Sequence, residues 1–111
     1  MKNVFFFLSI VGIFYLSLEC NQDTPPRFRV RNDRATKANV QIKTSDGNTI
    51  NINGVDTGVI SDFQSTASGR IDVSAGIQGE TVVPTLTFNA TNNSSYTIVV
   101  ATGNPPTLRL E

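Results

Sequence analysis

The chain has 111 residues, enough for one domain and too few for two. Nine lysines and arginines balance nine aspartates and glutamates, which excludes the basic stripe that nucleic acid requires and the polybasic patch that binds membranes by charge alone. Histidine and tryptophan are absent and cysteine occurs once, so there is neither an intramolecular disulfide nor a Cys/His zinc set.

The first residues read MKNVFFFLSIVGIFYLSLEC. Lys2 opens the segment, and Val4 to Leu18 then carries no charge. That run is shorter than the ~20 residues needed to span a bilayer as a helix. A basic start followed by a short apolar run predicts a secretory signal over residues 1–19, hence an exported and otherwise soluble protein.

Cys20 follows directly, and "NQDTPP" continues as a polar stretch, read as a tether over 20–26. Three readings apply to this cysteine: a free thiol, half of an interchain disulfide, or the acylated first residue of a bacterial lipoprotein. Its position after the apolar run favours the third. The stretch resembles a lipoprotein signal of the form L-x-x-C, with Ser17 where the leucine stands and Glu19 where a small residue stands. Several acyl chains, at ~0.8 kcal/mol per buried methylene, anchor almost irreversibly. The resemblance implies lipid, palmitate among its acyl chains, at Cys20. It implies attachment to the bacterial cell envelope, at the outer membrane or cell surface. Cleavage without acylation would leave a secreted or periplasmic protein.

From Arg27 the pattern alternates with period two. "RFRVR" turns Phe28 and Val30 one way and three arginines the other, and "NVQIKT" does the same with Val40 and Ile42. "TININ", "GRIDVS", "TLTFNA", "SYTIVVA" and "TLRLE" complete seven short runs rich in β-branched and aromatic residues. "GVISDF" is a weaker eighth. Seven runs without an intervening helical period predict an all-β domain over 27–111, an antiparallel immunoglobulin-like β-sandwich of about seven strands with roughly 20 core side chains.

Finer expectations follow from parity. In "VQIKTSDGNTININ" a three-residue loop Asp46-Gly47-Asn48 sets Ile42 opposite Ile52 and gathers the isoleucines on one face, with Asn48 in the left-handed position. Pro84 cannot donate in a ladder, so "ETVVP" reads as an edge or bulge. Arg27, Arg29, Arg31 and Arg34 read as a solvated edge that discourages strand addition, in preference to a contact with anionic headgroups or surface glycan. "YTIVV" reads as a central strand with Tyr96, Ile98 and Val100 inside, paired to its predecessor so that Leu86 faces Ile98 and Phe88 faces Tyr96. Tyr96 suits a tyrosine corner.

"FRVRND", "ANVQIKTSDG", "GRIDVSAG" and "SSYTIVVATG", in that order, together resemble the domain of unknown function family numbered 4397, over about Phe28 to Leu110. Asp33-Arg34-Ala35 stands where that family has a Ser-Pro pair. The resemblance implies an immunoglobulin-like sandwich in exported proteins and carries no catalytic residue.

Chemistry has little to work with. No histidine is present to activate a serine, and neither Lys37 nor Lys43 stands in a Ser-x-x-Lys spacing. Asp46, Asn48, Asn51, Asn53 and Asp56 could offer oxygens to calcium, but they are also ordinary turn residues and the Asp-x-Asp-x-Asp-Gly spacing is missing. Asn89, Asn92 and Asn93 begin glycosylation acceptor patterns, which matter only in a eukaryotic secretory pathway. The expectation is a non-catalytic module with no cofactor, catalytic residue or metal site. It is held to a membrane through Cys20 and meets an envelope protein or glycan through "TSDGN", "SDFQS" and "NATNNSS". The alternative is an accessory subunit of an envelope polysaccharide or export machine.

Overall fold

The computed structural model describes residues 23–111, so the signal segment and Cys20 lie outside the described residues. All seven alternating runs form strands: β1 (Arg27–Asn32), β2 (Ala38–Lys43), β3 (Thr49–Val55), β5 (Gly69–Ile77), β6 (Thr85–Ala90), β7 (Ser95–Ala101) and β8 (Thr107–Leu110). The eighth strand, β4 (Gln64–Ser65), lies just beyond the weak run expected to supply it. Within that run, Ile60 makes an isolated bridge to Arg31.

The strands form two four-stranded sheets, ordered β4-β1-β7-β8 and β3-β2-β5-β6. Every pairing is antiparallel except β1 with β7. Two faced sheets with one shared core are the sandwich architecture, and the strand order is the chain's own. Fourteen buried side chains from both sheets make the core, among them Phe28, Val30, Ile42, Ile71, Ile98 and Val100. Ile50, Ile52, Leu86, Phe88, Tyr96 and Leu110 pack against it, half-buried.

The β2–β3 hairpin keeps the expected faces but not the expected register. Ile42 pairs with Ile50 and Val40 with Ile52, a shift of two residues. The loop is Ser45-Asp46-Gly47, closed by the Gly47 N–H donating to Thr44 O at 3.1 Å. Gly47, at φ 88°, takes the left-handed position assigned to Asn48, which glycine enters without steric cost. Near the other end of β3 a bulge between Ala38 and Val40 carries Gly54 outward and delivers Val55 to the core.

β7 is interior, with Ile98 and Val100 fully buried as expected. It does not pair with β6, because those two strands lie in opposite sheets. Phe88 and Tyr96 still meet, with ring centroids 5.0 Å apart at 50°, but across the sandwich rather than along a ladder. Val99 is also fully buried, on the outer face and outside the core cluster. Its register partners are Arg31 and Arg109. Both arginines bond Glu111, at 2.9 and 2.8 Å, so their aliphatic stems roof Val99 while the charged heads stay in water.

Among the described residues Asn32 is the one fully buried side chain with two donors and an acceptor to satisfy. Its amide donates to Thr36 O at 2.7 Å and Val55 O at 2.9 Å, and its carbonyl accepts from the Arg34 N–H at 2.9 Å. It thereby joins the turn leaving β1 to the end of β3 in the other sheet.

β7 is thus covered on both faces, and three truncations should separate accordingly. Ile98→Ala should cost ~2–5 kcal/mol. Val99→Ala should cost about 1.5 kcal/mol or more, for two buried methyl groups lost. Thr97→Ala, which loses one hydrogen bond from the Arg29 Nε–H, should cost about 1 kcal/mol or less. Urea unfolding of the three variants checks the order.

Candidate functional site

The register decides where the loops lie. β1 and β7 run in parallel from Arg27 and Ser95, and β4 finishes beside them at Ser65. In the facing sheet Lys43, Thr49, Gly69 and Ala90 lie at that same end, reached through the short connections 66–68 and 91–94. The segments 44–48, 66–68, 91–94 and 23–26 therefore share one end of the sandwich. "TSDGN" and "NATNNSS" belong to it, and "SDFQS" leads into it. The opposite end carries 33–37, 56–58, 78–84 and 102–106, tied by Arg34. That guanidinium donates to Ala101 O and Gly103 O, both at 2.9 Å, and pairs with Glu80 at 3.0 Å.

The start of the described chain is clasped to its end of the sandwich. The Thr24 N–H donates to Asn93 Oδ1 at 2.9 Å, and the Asn93 N–H donates to Thr24 O at 2.8 Å. The Asn93 amide also donates to Asp23 Oδ1 at 3.2 Å. Asn93 sits at φ 66°, a conformation that asparagine tolerates better than most side chains. Pro26 is fully buried, and its carbonyl accepts from the Thr66 N–H at 2.9 Å. Asp23 to Pro26, within the segment expected as tether, are thus held by contacts to the sandwich. Tyr96 closes the same loop: its hydroxyl accepts from the Thr91 N–H at 3.0 Å, the backbone bond expected of a tyrosine corner.

The hairpin loop is also locked. Asp46 accepts from the Thr44 hydroxyl, from the Asn48 N–H at 3.4 Å and from the Asn48 amide at 3.2 Å. These bonds, the Thr44 hydroxyl first, hold its carboxyl below the usual range against a smaller opposing effect of desolvation. Ser45 Oγ donates to Ser68 O at 2.6 Å, and Gly69 approaches so closely that a Cβ there would lie 2.9 Å from Ser45 Cβ. Asp46 and Asp56 stand at opposite ends of β3, so the two carboxylates of the calcium reading do not converge. Beside the hairpin an open groove of about 460 Å³ is bounded by Thr44, Asp46, Asn48 and Thr66. It offers hydroxyls, an amide and one carboxylate, and no paired nucleophile and base.

The arginine strip is not an edge. β1 lies between β7 and β4, and Ser61 continues the cover by bonding Val30 in both directions, at 2.9 and 2.8 Å. Arg27, Arg29 and Arg31 stand on the outer face of the sheet. Arg31 pairs with Asp33 and Glu111, both at 2.9 Å, which holds its pKa above the usual arginine value. Arg27 and Arg29 have no carboxylate partner among the described residues. Their Nε–H groups donate to Ser95 Oγ at 2.9 Å and Thr97 Oγ1 at 3.1 Å. Both guanidiniums stack on the Phe63 ring, 4.3 and 4.6 Å from its centroid. Sequence reasoning passed over Phe63, whose only signal was an aromatic residue among loop residues. It also passed over Asn93 as a clasp, where the signal was a left-handed-tolerant residue in a polar turn.

No family model, no curated protein and no solved structure matches the chain.

The clasp can be loosened without straining the turn. Asn93→Gly keeps the left-handed backbone and removes the side-chain acceptor. Hydrogen exchange at the Thr24 amide should then accelerate at least tenfold, while the amides of β1 and β7 stay protected; unchanged Thr24 exchange would mean that the contact does not persist in solution.

Proposed function

We propose that the protein is an exported bacterial lipoprotein whose β-sandwich acts as a non-catalytic interaction or structural module at the envelope surface, anchored through acyl chains on Cys20. The observation that supports the anchor is Cys20 directly after the uncharged run Val4 to Leu18, and the clasp of Asp23 and Thr24 on Asn93 bears on how an anchored domain would sit. Asp23 stands three positions after Cys20, a reach of at most roughly 11 Å. An acyl anchor at Cys20 would therefore act on a rigid body and not on a long flexible stalk. The end bearing 44–48, 66–68 and 91–94 would lie against the membrane, and the end bearing 33–37, 56–58, 78–84 and 102–106 would face outward. Contacts with an envelope protein or glycan then fall to the outward loops, and the loops first expected to carry them become the membrane-apposed set. The resemblance to family 4397 belongs to the same proposal, and the stretches that carry it lie on β1, β2, β5 and β7.

Substituting Cys20→Ser tests the anchor. The protein should move from the membrane pellet to the soluble exported fraction, or accumulate with its signal uncleaved. An unchanged membrane fraction of normally processed protein contradicts the proposal.

A further inference from the structure

We infer that the outer face of the first sheet at the clasped end, centred on Arg27, Arg29 and Phe63, binds the phosphate groups of an anionic phospholipid surface. The inference deepens the lipoprotein reading and rests on it for the choice of partner. Arg27 and Arg29 are two residues apart on β1 and share one face. Each is fixed at Nε by a neighbouring hydroxyl, which leaves the terminal N–H groups available. By contrast, Arg31, Arg34, Arg70 and Arg109 all have a carboxylate within 3.2 Å. Stacking on one ring brings the two unpaired guanidiniums within about 9 Å of each other, a like-charge arrangement that an incoming anion relieves.

The chemistry of the face selects phosphate. Two planar forks held side by side suit phosphate oxygens, which each can bond bidentately. Phe63, on which both stack, is 36% exposed, and aromatic rings favour the headgroup level of a bilayer. The location selects the lipid. Arg27 follows Pro26 at the end where the chain leaves toward Cys20, so an anchored molecule carries these forks to the headgroup layer. Zero net charge argues against a polybasic mode, and the attraction centres on this pair.

The chain contains no tryptophan, so Phe63→Trp introduces a single reporter that preserves the stack. In the soluble, signal-free exported form of the Cys20→Ser protein, its emission should shift to the blue on vesicles of phosphatidylglycerol with phosphatidylcholine. The shift should be far weaker on phosphatidylcholine alone and should be suppressed by salt. Adding Arg27→Gln and Arg29→Gln should weaken partitioning about 30-fold. Equal partitioning on both vesicle types overturns the inference, and that comparison needs no arginine variant. If the anchor test succeeds while anionic lipid makes no difference, this inference alone fails. If anionic vesicles are preferred while Cys20→Ser leaves fractionation unchanged, the anchor reading alone fails.

Discussion

The parallel pairing of β1 with β7 organises the molecule. Every other ladder is antiparallel and joins residues at most 39 positions apart. The parallel ladder joins residues 68 positions apart, Arg27 with Ser95 through to Asn32 with Val100, and so closes the first sheet around strands distant in sequence. It also places two strand starts side by side. The chain entering β1 then lies against the turn entering β7, and Thr24 meets Asn93. The orientation proposed for the anchored domain depends on that adjacency.

The same pairing gives the outer face of the first sheet its character. β1 sends arginines outward, and β7 answers with Ser95, Thr97 and Val99. The arginines consequently divide by register. Arg27 and Arg29 meet hydroxyls that fix only Nε, whereas Arg31 meets Val99 and covers it, with Asp33 and Glu111 taking its charge. One alternating hexapeptide thus supplies an apolar core row on one side. On the other it supplies both a closed ionic roof and an open cationic pair.

Much of this was legible in the sequence, because period two is a direct imprint of a sheet with one buried face. The seven runs became strands, Pro84 lies just before an edge strand, and Tyr96 hydrogen-bonds the preceding backbone. The misses share a cause. Parity fixes which face a side chain occupies but not which strand it meets. Hairpin registers two residues apart bury the same isoleucines, and the choice fell to Gly47, which enters the left-handed region more easily than Asn48. Leu86 and Phe88 match the parity of Ile98 and Tyr96 whether the strands are paired or face each other across the core. β4, at two residues, is too short to show a period. Val99 looks solvated because the roof over it is built from long charged side chains, which alternation counts as polar.

The central proposal is that this domain is held to a membrane by lipid on Cys20, three positions before the clasp at Asp23. Mass spectrometry of the N-terminal tryptic peptide, from protein purified out of the membranes of the producing cell, tests it most directly. The account predicts a peptide running from Cys20 to Arg27 that carries a thioether-linked diacylglyceryl group and an N-acyl chain. An unmodified Cys20, or a mature chain that begins after it, would contradict the account.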